Sequence, residues 1–64
     1  MEYITKTAID GKKFTIVIDN DGRGLWYILD ADHSEYATKD KTTKLAKLIL
    51  DNMIDDYEYD NDLK

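Results

Sequence analysis

The side chains with most scope for chemistry lie near the end of the chain, where Asp55-Asp56-Tyr57-Glu58-Tyr59-Asp60-Asn61-Asp62 interleaves carboxylates with two tyrosines. Carboxylates accept charge-assisted hydrogen bonds from arginine and lysine, and tyrosines add apolar area and a ring face on which a cation can sit. That composition suits docking onto a basic surface. A second cluster, Asp32-His33-Ser34-Glu35, contains the residue types of a nucleophilic triad. Neighbours in sequence do not converge on one reacting atom, and no oxyanion-hole element accompanies them, so no catalytic residue is assigned and the protein is read as a non-enzyme. A third cluster, Asp19-Asn20-Asp21-Gly22, has the composition of a calcium loop. An EF-hand with Gly22 at its sixth position needs an acid where Val17 stands and a bidentate carboxylate where Ile28 stands, so the run reads as a turn. The chain has no cysteine, which removes disulfides and thiolate metal sites; neither metal nor cofactor is expected.

The elements that must position these groups follow from periodicity. Residues 2–9 are β-rich and roughly alternating, and Asp10-Gly11 marks a turn after them. Residues 13–19 alternate again, with Phe14, Ile16 and Ile18 on one face and Thr15 and Val17 on the other. Asn20-Asp21-Gly22 and Gly24 then make a second turn before a third strand over residues 24–30. Residues 30–37 are polar and read either as a loop or as a short further strand carrying Tyr36. From residue 40 the period changes to that of a helix. Thr38 or Asp40 can cap it, and Ala46, Ile49, Leu50, Met53 and Tyr57 share one stripe flanked by Leu45 and Ile54. The expectation is one α+β domain over residues 1–64: a three-stranded antiparallel meander, a helix over about residues 40–57, and residues 58–64 as an acidic tail. Helix on sheet makes a two-layer βββα arrangement. One sheet face is left open, with Ile4 and Val17 expected on it together with either Trp26 and Ile28 or Leu25, Tyr27 and Leu29, and it offers an alternative interface, for an antitoxin-like contact or for a second copy.

Charge is distributed unevenly. Residues 1–50 hold eight basic and eight acidic side chains, whereas residues 51–64 hold six acids against Lys64 alone, so the whole net charge of −5 sits at one end. Phosphates demand cations, so direct binding to nucleic acid is not expected. The longest unbroken apolar run, Leu25-Trp26-Tyr27-Ile28-Leu29, is far short of the roughly 20 residues of a membrane span, and a cytoplasmic location without membrane association is expected. A helix C-terminus carries partial negative charge and favours Lys or Arg, yet here the last turn is acidic. Residues that oppose local preference without visible compensation are candidates for function.

The hairpin through Asn20-Asp21-Gly22, the strand with Tyr27-Ile28, the acidic connector at Asp30, Asp32 and Glu35, the amphipathic helix and the terminal Asp/Glu/Tyr cluster together resemble small acidic phage inhibitors that imitate DNA, in particular anti-CRISPR proteins acting on type II nucleases. The resemblance covers residues 14–62 as a pattern. It implies a cytoplasmic inhibitor whose partner is a basic, nucleic-acid-binding protein, with Asp30, Asp32, Glu35, Asp55, Asp56, Glu58 and Asp60 standing in for phosphates and Tyr57 and Tyr59 beside them. A second pattern, Phe14 to Leu29 followed by a helix opening near Thr42-Thr43-Lys44, is similar to the partial ribonuclease-H-like domain of HicB-type antitoxins and implies toxin neutralisation by direct contact. The strand order and helical lysines also look like the three-stranded DNA-binding module of phage integrases, from which the acidic balance separates this chain.

Overall fold

A computed structural model describes residues 1–29 and 35–63. The strands are β1 (Glu2–Thr7), β2 (Lys13–Asn20) and β3 (Trp26–Ile28), followed by one helix, α1 (Lys39–Asp60). All pairing is antiparallel in the order β1-β2-β3, and α1 covers one face, which is the expected two-layer βββα arrangement. The first strand stops at Thr7, two residues short of the expected end, because the chain is already turning. Ala8 N–H donates to Lys12 C=O at 2.8 Å and Gly11 N–H to Ala8 C=O at 2.9 Å, leaving Ile9, Asp10 and Gly11 as the hairpin tip. Gly11 takes φ 93°, the left-handed conformation that this three-residue connection requires. The third strand is also shorter than expected. Asp21 N–H donates to Leu25 C=O at 2.9 Å, so Gly24 and Leu25 still belong to the turn. Beyond Ile28, Leu29 N–H donates to Val17 C=O, and residue 30 lies outside the described residues.

Cross-strand register assigns the faces. Ile4 pairs with Ile16, Lys6 with Phe14, and Ile28 with Ile18, so these side chains share the face under the helix. This overturns the placement of Ile4 on the open face: the alternation in residues 2–9 shows which residues share a face, but only pairing shows which face is covered. Ile18 and Ile28 pack with Ala46, and Ile4, Ile16, Trp26 and Ile49 surround them. Along α1 the buried positions are Thr42, Ala46 and Leu50, four residues apart, the spacing of one helix face. Burying Ile18 and Leu50 completely contributes about 1.5–3 kcal/mol each, a large share in so small a domain. Met53, expected in the stripe, is 40% exposed, because it lies at the groove edge where β3 has ended.

The helix starts at Lys39, one residue before the expected position. Thr38 is extended and its hydroxyl accepts from Lys41 N–H at 3.3 Å, satisfying one of the otherwise unpaired first-turn amides. At the other end α1 continues to Asp60, three residues past the expected limit, so Glu58, Tyr59 and Asp60 are helical rather than tail. The end is closed by a Schellman pattern. Asp62 N–H donates to Tyr59 C=O at 3.2 Å and Leu63 N–H to Glu58 C=O at 2.8 Å, with Asp62 at φ 56°. Tertiary contacts described below hold this last turn in place. Of the ambiguous connector, Glu35 to Ala37 are described, and they form only an isolated bridge in which Trp26 and Ala37 exchange two backbone hydrogen bonds.

Candidate functional site

The acidic end of α1 sits beside the β1–β2 hairpin tip, since the helix runs antiparallel to β2. Tyr57 is half-buried, with its ring edge-on to Phe14 at 5.4 Å and its hydroxyl donating to Asp10 Oδ2. Lys12 places its ammonium 4.9 Å from the Tyr57 ring centroid and 5.6 Å from that of Phe14. The Tyr57 hydroxyl and the Lys12 backbone N–H stabilise the charged form of Asp10, lowering its pKa below the ordinary 3.8. The same bond raises the Tyr57 pKa above 10.0, because phenolate cannot donate to a carboxylate. Glu58 Oε2 accepts from Ile9 N–H at 2.8 Å, which ties the helix to a hairpin-tip amide. Two of the nine expected partner-binding residues, Tyr57 and Glu58, are thus engaged inside the fold.

The other helical members point outward. Asp55, Asp56, Tyr59 and Asp60 are exposed, Tyr59 at 78%. Asp56 and Asp60 are one turn apart, about 6 Å along the axis. Neither they nor Asp62 form an ion pair among the described residues, and the last turn contains no basic residue. By contrast, Asp51 one turn earlier pairs with Lys6 from β1. Glu35 is exposed but lies by the Trp26–Ala37 bridge near the start of the helix. The 22 residues of α1 span about 33 Å, so Glu35 does not join the cluster at its far end. Asp30 and Asp32 lie outside the described residues, as does His33.

The second turn has a structural explanation. Asp21 Oδ1 accepts from Arg23 N–H at 2.8 Å and Leu25 N–H at 3.3 Å, and Asn20 Oδ1 accepts from Gly22 N–H at 2.6 Å. The Arg23 amide leads the effects that lower the Asp21 pKa below 3.8. Its buried Oδ2 makes no hydrogen bond but faces Arg23 Nη2 at 3.4 Å. These residues hold the turn, and among the described residues no three His, Cys, Asp or Glu side chains gather to hold a metal ion. No helix among the described residues is long and apolar enough to cross a membrane.

On the open sheet face, Tyr27 stacks on Tyr36 with centroids 5.1 Å apart, and the hydroxyls of Thr5 and Thr15 meet at 3.0 Å. Burial, then the neighbouring Asp19, raises the Tyr27 pKa above 10.0. Beside the end of β3 an open apolar groove of about 360 Å³ is lined by Ile16, Val17, Ile28, Leu29, Ile49 and Met53, without an ionisable side chain. Comparison with known proteins gives no match to a family model, a curated protein or a solved structure. Function is therefore argued from the site itself.

Proposed function

We propose that this chain is a non-catalytic cytoplasmic inhibitor that docks the acidic, tyrosine-bearing end of α1 on a cationic surface of a nucleic-acid-binding protein, in the manner of a DNA mimic. One observation carries this reading: among the described residues Asp56, Asp60 and Asp62 stand without ion pairs at the negative pole of a helix whose end is capped and tied to the sheet. Each carboxylate there costs about 0.3–1 kcal/mol at low salt, and the cap would form equally well around neutral side chains. Rigidity matters for binding, since carboxylates already held in place lose little entropy when a partner engages them. The working set is Asp55, Asp56, Tyr59, Asp60 and Asp62, with Tyr57 and Glu58 holding the turn that presents it.

The test compares wild type with Asp56→Asn, Asp60→Asn, Asp62→Asn combined. Each protein is immobilised and challenged with nucleic-acid-binding proteins purified from a lysate on a DNA column. Wild type should retain members of that fraction, lose them when free DNA is added, and lose them with rising salt. The triple variant should melt at the same temperature or higher while retaining none. Equal retention by both proteins, or retention unaffected by DNA, overturns the reading.

A further inference from the structure

The acidic end is half of a larger pattern on α1. Opposite the buried face defined by Ala46 and Leu50, the outward ridge runs Lys41, Lys44, Leu48, Asp55 and Tyr59, all exposed, with Leu45, Lys47, Asn52 and Asp56 on its flanks. Its first half is cationic and its second half anionic, the reverse of what the helix dipole favours at either end. None of Lys41, Lys44 and Lys47 forms an ion pair among the described residues. The two halves meet at Leu45, 43% exposed, and Leu48, 57% exposed, where a helix with no partner would favour polar residues.

We propose that this ridge is a self-complementary interface on which a second copy of the chain docks with its helix antiparallel. Charge complementarity selects both the occupant and the direction. Crossing near Leu50 brings Lys44 of each copy beside Asp55 and Asp56 of the other, sets Lys41 against the partner's Tyr59, and places Leu48 of both copies near the centre, about 6 Å apart along the axis, with each Leu45 further out on the same flank. A parallel arrangement would oppose lysine to lysine and aspartate to aspartate, which is unfavourable. Antiparallel docking also sets the negative pole of each helix beside the positive pole of the other, so the charge order that opposes the dipole within one chain is compensated across two. Such a contact is isologous, the same patch on both copies. It does not depend on the nature of any foreign partner, although one binding Asp55, Asp56 and Tyr59 would compete with it.

Sedimentation equilibrium on the pure protein tests the proposal, with two charge-reversed variants: Lys41→Glu with Lys44→Glu, and Asp55→Lys with Asp56→Lys. Wild type should approach twice its 7.5 kDa mass with rising concentration, and raised salt should weaken the association. Each variant alone should associate at least about tenfold more weakly, because like charges then face each other at both ends. Mixed in equal amounts, the two should form a heterodimer, since every contact regains an opposite pair. Both reversals agree with the helix dipole, so each variant should keep its helix, as checked by circular dichroism, and loss of dimer cannot be put down to unfolding. Wild type that stays at 7.5 kDa at its solubility limit overturns the proposal. So do single variants that dimerise like wild type, or a mixture that stays monomeric.

Discussion

The two ends of α1 are anchored to the same sheet by different chemistry. At the first end Thr38 caps the backbone, the Thr42 hydroxyl donates to Trp26 C=O at 3.1 Å, and Lys39 sits over the Trp26 ring at 5.3 Å while pairing with Glu2 at 2.7 Å. At the last end the Schellman cap satisfies backbone carbonyls, while Tyr57 and Glu58 grip the hairpin tip at Asp10 and Ile9. Hydrogen-bond satisfaction and charge balance are separate requirements. Both ends meet the first, but Lys39 at the first end pairs with Glu2 of the sheet, whereas Asp56, Asp60 and Asp62 at the last end form no ion pair among the described residues. Those three carboxylates serve no fold contact among the described residues, and the proposed function rests on them.

The largest expected effect is at the centre, which both ends need. Leu50→Ala removes a fully buried side chain and should cost about 2–5 kcal/mol, enough to abolish a cooperative melt. A cost under about 1 kcal/mol, read by urea titration, would mean that the helix does not dock as described. Ile49, half-buried at the edge of the groove, should tolerate the same truncation better.

Next come the anchors. Thr38→Ala should cost about 0.5–2 kcal/mol through the lost cap. Glu58→Ala removes a charged acceptor from Ile9 N–H and should cost about 1 kcal/mol. The two losses should add in the double variant, because the sites lie more than 10 Å apart. Tyr57→Phe distinguishes the ends by pH. The lowered Asp10 pKa contributes stability that is present above the unfolded value and lost as pH falls through the folded one. The raised Tyr57 pKa contributes stability that is present below 10.0 and lost as pH rises through its folded value. Melting curves taken from below pH 3.8 to above pH 10.0 should flatten at both extremes in Tyr57→Phe, and Thr38→Ala should leave both limbs unchanged. Limbs that stay as steep in Tyr57→Phe would remove this hydrogen bond from the account.

The smallest effect sharpens the comparison from the other direction. Asp62 adopts φ 56°, which glycine accepts with less strain, so Asp62→Gly should stabilise the protein by about 0.5–1 kcal/mol and remove a charge from the negative pole. A destabilised variant would show that the Asp62 carboxylate has a structural role.

Much of this fold is legible from local pattern. The alternation at Phe14, Ile16 and Ile18, the turn residues at Asp10-Gly11 and Asn20-Asp21-Gly22, and the four-residue recurrence through Ala46 and Leu50 each act within a few positions. They determine three strands, one helix and the split of charge along α1 without reference to any other part of the chain. The helix end was less legible, since its left-handed cap residue is Asp62 rather than glycine. The face occupied by Ile4 depended on pairing with Ile16, and the partners of Tyr57 and Glu58 lie 47 and 49 residues away. Tertiary structure alone decided which carboxylates serve the fold and which remain exposed. Propensity and periodicity describe the surroundings of a residue along the chain, whereas a hydrogen bond such as Ile9 N–H to Glu58 exists only once packing has brought the two segments together.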